Sequence, residues 1–80
     1  MQIFLTREAQ KQYAKLNGIN QKKIKKKINA LEKDYKLGKK LKGELVGSFS
    51  VRAWPYRIIY VINKKELWIV SILHRQGVYK

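Results

Sequence analysis

The chain has 80 residues and a formal net charge of +14, from 19 Lys and Arg against 5 Asp and Glu. That length makes one domain, residues 1–80, with a marginal core, because so short a chain buries only roughly 60% of the surface its unfolded form exposes. With no Cys and a single His, neither a disulfide nor a metal site of the usual kind can reinforce it, so no metal and no cofactor is expected.

The excess of positive charge disfavours the compact state and attracts a polyanion or an acidic partner. Nucleic acid is the first candidate, an acidic protein the second and an anionic membrane surface the third, and no membrane is carried among the expected partners. No apolar run reaches the ~18 residues of a spanning helix, so nothing is expected to span a membrane. The opening "MQIFLTREAQ" turns polar too early for a signal peptide, and the expected location is the cytoplasm.

In chain order, "QIFLT" reads as a strand, with Thr6 placed to cap a helix that begins at Arg7 and Glu8. Glu8 suits the positive end of the helix dipole. Ala9, Tyr13 and Leu16 share one helical face, and Asn17–Gly18 is expected to stop the helix in a left-handed turn. Asn20 is the expected cap of a second helix, whose stripe is Ile24, Ile28, Leu31 and Tyr35. The run "KKIKKK" at 22–27 surrounds that stripe, and Gly38 closes the helix. Residues 6–37 thus read as a helical hairpin. "KKLKGELVG" follows as a basic connector. Strands are expected near 45–53, 56–62 and 67–74, turning at Trp54–Pro55 and at Asn63–Lys64–Lys65.

Alternation then separates the two faces of the sheet. Pairing Arg52 with Arg57 puts Phe49, Val51, Ile58, Tyr60 and Ile62 on one face. Ser48, Ser50, Arg52, Arg57, Ile59 and Val61 fall on the other. Two registers fit the second hairpin. The one adopted adds Trp68, Val70 and Ile72 to the apolar face and leaves Ser71 and Arg75 with the arginines, while His74 points away from them. The expected architecture is α+β in the order β-α-α-β-β-β. Its N-terminal strand and helical hairpin lie on one face of a twisted, antiparallel-rich sheet.

Arg52 opposite Arg57 is either a pair of solvated arginines at a hairpin tip or a clamp for phosphate, which guanidinium groups bind through two parallel hydrogen bonds. The lysine run is either a solvated helix face or a sequence-independent contact with a nucleic-acid backbone. Trp68 is assigned to the core. Trp54 either stacks on a base or covers the end of the helical hairpin. His74, the one histidine, is either structural at a strand end or a candidate for acid–base work. Gly38 and Gly43 have the spacing of a phosphate loop but lack the Lys-Ser/Thr and helix that would follow. The five acids offer no carboxylate pair on the arginine face.

"KLKGELVGSFSVRAWPYRIIYVI" followed by "LHRQGVY" resembles the RelE/ParE superfamily of toxins from bacterial and archaeal toxin–antitoxin pairs. The L-x-G connector, the arginine before the turn, "YRIIY" and the final "HR-x-x-VY" carry the resemblance, which covers nearly the whole chain. RelE-like members cleave messenger RNA on the ribosome through 2′-hydroxyl attack on the adjacent phosphate; ParE-like members block DNA gyrase. By motif position, the resemblance implies that Arg57 and Arg75 hold the scissile phosphate, that Tyr79 takes part in catalysis, and that Arg52 lines the groove.

Proton transfer would fall to Tyr79 or His74. Ser48 and Ser50 stand where RelE has two lysines. Lys39, Lys40 and Lys42 can restore the positive charge, with Trp54 a further RNA contact. The resemblance implies a ribosome-dependent endoribonuclease neutralised by a cognate antitoxin, as a monomer or a toxin–antitoxin hetero-oligomer. The alternatives are a gyrase inhibitor and an inactive module that binds nucleic acid or antitoxin.

Overall fold

Thr6 opens the helical layer as its position predicts. In the computed structural model, which describes residues 1–41 and 47–74, strand β1 (Gln2–Leu5) leads into Thr6, whose hydroxyl accepts from the Ala9 N–H at 3.2 Å. This cap starts α1 (Arg7–Ala14) and is worth ~1 kcal/mol.

The second cap differs from expectation. Asn17 caps α2 (Gly18–Lys33), its side chain accepting from the Asn20 N–H at 2.9 Å. Asn20 is thus the recipient of the bond, and Gly18 is the first residue of α2 and not a left-handed stop. The helix also ends earlier than Gly38. The Asp34 carboxylate accepts from the Lys36 N–H at 3.1 Å, a local turn that competes with further helix, and Tyr35 lies beyond the helical stripe.

Among the described residues, five strands form one sheet in the order β1-β5-β4-β3-β2. Three match expectation closely: β3 (Ser48–Ala53), β4 (Tyr56–Asn63) and β5 (Glu66–His74). The fourth, β2 (Lys39–Lys40), occupies the supposed connector and pairs with Ser50 and Phe49. Strand β1 runs parallel to its neighbour β5, and the other pairs among the described residues are antiparallel. Ala9, Ile24 and Leu31 of the helices meet Val51, Ile58, Tyr60, Leu67, Ile69 and Ile72 in one core, flanked by Tyr13, Leu16 and Ile28. The fold is therefore α+β, two helices on one face of a mostly antiparallel sheet.

The second hairpin follows neither expected register throughout. Ile59 pairs with Ser71 but Tyr60 pairs with Ile69, so Val70 is an extra residue, a β-bulge. Beyond it, Ile72 faces the helices and Ser71 the opposite side, as the adopted register has it. Before it, Leu67 and Ile69 are the core residues, while Trp68 faces away from the helices and stacks on Phe4 at 4.8 Å. Assigning Trp68 and Val70 to the core is thus corrected.

The bulge sits where β1 ends at Leu5, opposite Ile69. Past that point, the α1 end of the molecule supplies the missing partners. The Thr6 hydroxyl donates to the Val70 carbonyl at 3.2 Å, and the Ile72 N–H donates to Gln12 Oε1 at 2.6 Å.

Candidate functional site

The pairings lay out the sheet face away from the helices as successive rows. Phe4, Trp68, Val61 and Ser48 form one, and Ser71, Ile59, Ser50 and Lys39 the next. Leu73, Arg57 and Arg52 form the last, beside the turn closed by the cis Trp54–Pro55 peptide. Arg52 and Arg57 are directly opposed because a two-residue turn joins strands whose first pair is Ala53 and Tyr56. Like charges so placed repel.

A cleft of about 580 Å³ runs from this row to the sheet edge, lined by Arg52, Arg57, Ser50, Lys39, Lys40 and Lys27, with Leu37, Leu41 and Val51 as apolar wall. No carboxylate or imidazole lines it among the described residues. Its chemistry is that of an anion site: guanidinium and ammonium groups with a serine hydroxyl beside them.

Tyr60 holds the β2 side of the cleft in place. Its buried hydroxyl donates to the Tyr35 carbonyl at 2.9 Å and accepts from the Gly38 N–H at 2.9 Å, tying the chain before Lys39 to the sheet. Burial raises its pKa above the ordinary 10.0; the Gly38 bond opposes that rise and the Asp34 charge adds to it. Gly38 is required here, since a Cβ would lie 2.8 and 2.9 Å from Tyr60 ring carbons.

The structure brings together Arg52, Arg57, Ser50, Lys39 and Lys40. Ser48 is on the same face but four residues from Arg52, about 13 Å along the strand, and does not line the cleft. His74 pairs with Tyr56, on the rows facing the helices, and its ring meets the Tyr56 ring edge-on at 5.3 Å. It is not part of the arginine row. Arg75, Tyr79 and Lys42 lie outside the described residues.

Trp54, 53% exposed, stands at the corner and lines a second groove of about 320 Å³ with Lys23, Lys26, Lys27 and Ala30 of α2 and with Arg52 and Ala53. Sequence reasoning did not single out Lys27, which lines both clefts. Its signal was the shared flank of residues 23, 26, 27 and 30, hidden within a run of lysines.

Two helices on one face of a five-stranded, mostly antiparallel sheet match the fold of RelE-like toxin structures. The family model for the ParE toxin of type II toxin–antitoxin systems, parDE, matches residues 3–79. The chain belongs to this family, and the protein is a toxin of a toxin–antitoxin system.

Among solved structures, the RelBE2 toxin–antitoxin complex from Mycobacterium tuberculosis is similar at 28% identity and a TM-score of 0.80, over 92% of this chain and 96% of that one. The RelB–RelE complex from Methanococcus jannaschii is 25% identical with a TM-score of 0.76, over 95% of this chain and 94% of that one. A YoeB/ParE toxin from Agrobacterium tumefaciens shares the fold at 20% identity and a TM-score of 0.79, over 92% and 98% of the two chains. A sequence comparison with curated proteins finds no match.

Proposed function

We propose that this toxin is an endoribonuclease that cleaves ribosome-bound messenger RNA, and that a cognate antitoxin neutralises it. The observation that carries this reading is the opposition of Arg52 and Arg57 beside Ser50 and Lys39 in a cleft lined by cations. A phosphodiester between the two guanidinium groups converts their repulsion into attraction. In the reaction, the 2′-hydroxyl loses its proton and its oxygen bonds to phosphorus. The bond from phosphorus to the 5′-oxygen then breaks, leaving a cyclic phosphate, and the departing oxygen takes up a proton. Cations around the phosphorane stabilise the charge that develops there.

In this reading Arg57 and Arg75 hold the phosphate. Arg52, Lys39, Lys40, Lys42 and Ser50 line the RNA path, Trp54 stacks at its end, and Ser48 lies at its margin. Tyr79 is the first candidate for proton transfer. His74 is the second, given its place on the helix-side rows. An antitoxin with carboxylates set against the same cations would block the cleft; the similar RelBE2 and RelB–RelE structures are complexes of toxin with antitoxin.

Mapping RNA 5′ ends after induction tests the reading, with new ends inside translated regions as the expected result. Growth arrest over intact message would overturn it. Gyrase inhibition is the second reading. It is favoured by the ParE family match and by the lack of a carboxylate or imidazole in the cleft among the described residues. Blocked supercoiling by purified gyrase, with messenger RNA untouched, would establish that reading instead.

A further inference from the structure

The β2 strand covers only part of its neighbour. It pairs with Ser50 and Phe49, so among the described residues the edge of β3 from Val51 to Ala53 has no strand beside it and faces the flank of α2. The resulting groove has Lys23, Lys26 and Lys27 on one wall and Arg52 and Trp54 on the other. No carboxylate lines it among the described residues. Lys27 and Arg52 also line the arginine cleft, so the two depressions adjoin at these residues.

We propose that this groove is a second subsite for single-stranded RNA, continuing the path from the arginine cleft over the β3 edge. The nature of its ligand rests on the nucleic-acid reading above. A strand gripped between Arg52 and Arg57 passes Lys27 and sets its next phosphates against Lys26 and Lys23. Trp54 offers a flat, half-exposed surface on which one base stacks. The chemistry is sequence-tolerant: ammonium groups meet the backbone, and any base has a π-face for the indole. Helix geometry sets the choice of lysines. Residues 23, 26, 27 and 30 share a flank, whereas Lys22 and Lys25 are exposed elsewhere and do not line the groove.

The test is fluorescence anisotropy with non-cleavable 2′-O-methyl oligoribonucleotides, a trinucleotide and one about three times longer, over a range of salt concentrations. Three proteins are compared: wild type, Lys23→Gln/Lys26→Gln, and the charge-matched Lys22→Gln/Lys25→Gln. Wild type is expected to prefer the longer strand. The Lys23/Lys26 variant should lose that preference and show a salt slope shallower by about 1.4 for the longer strand, at about 0.7 per single-strand phosphate contact. Its trinucleotide affinity should change less. Trp54→Ala should weaken the longer strand about tenfold and the trinucleotide little.

Equal losses in the two lysine pairs, or an unchanged length preference in the Lys23/Lys26 variant, would overturn the proposal. So would a poly-glutamate peptide that responds to Lys23/Lys26 while the RNA does not, since that assigns the groove to an acidic protein segment. These readouts are independent of cleavage. A protein that cuts no RNA but shows the length effect sinks the nuclease reading alone, and cleavage without the length effect sinks the subsite alone.

Discussion

Arg52 and Arg57 occupy directly opposed positions in the β3–β4 hairpin, with lysines lining the cleft beside them. Like charges directly opposed across two strands are destabilising. Arg52→Ala is therefore expected to raise the thermal midpoint at low salt, by a gain that shrinks as salt screens the wild-type repulsion, while RNA binding falls. Unfolding scans at several ionic strengths check this. A second residue-scale prediction concerns Tyr60. Tyr60→Phe leaves the buried-side Gly38 N–H without its acceptor and should cost about 1–3 kcal/mol in denaturant unfolding. Because burial raises the folded-state pKa of Tyr60 above 10.0, its contribution is complete below about pH 10, where the ring is neutral in both states. It is lost as pH rises through the folded value. Wild type should thus destabilise above pH 10 more steeply than Tyr60→Phe.

The elements differ in how they hold the site. The first hairpin was legible because a two-residue turn leaves one register, and that register alone opposes Arg52 to Arg57. The second was not. "ELWIVSILH" holds four consecutive apolar residues, Leu67 to Val70, so alternation cannot say which of them face inward, and the Val70 bulge changes the answer midway. The bulge coincides with tertiary contacts that alternation does not reveal: β1 ends there, and Thr6 and Gln12 become the partners of β5. Gln12→Leu should cost about 1–3 kcal/mol by orphaning the Ile72 N–H, seen as a lower denaturant midpoint with an unchanged slope. Asn17 and Asn20 show a similar limit. Each is a good cap, and only the packed helices decide between them. Strand β2 carries no strand pattern in its two lysines; Tyr60, from across the sheet, holds the chain that leads into it.

At the scale of the whole molecule, a charge of +14 on 80 residues works against folding unless an anion answers it. The sequence distinguished the two faces of the first hairpin because its arginines and serines interrupt an apolar pattern. It could not distinguish the flanks of α2, where lysines occur all round and only the contact with the β3 edge selects Lys23, Lys26 and Lys27. Binding of RNA or antitoxin should raise the thermal midpoint, with the effect of RNA falling as salt increases.

The proposed cleavage depends on two opposed cations finding a phosphodiester between them. The most direct measurement is a transcriptome-wide map of RNA 5′ ends after brief induction of wild type and of Arg52→Ala/Arg57→Ala, the latter shown folded by its melting curve. Wild type should give new ends within coding regions and the variant should give none; the same ends in both would contradict the central claim.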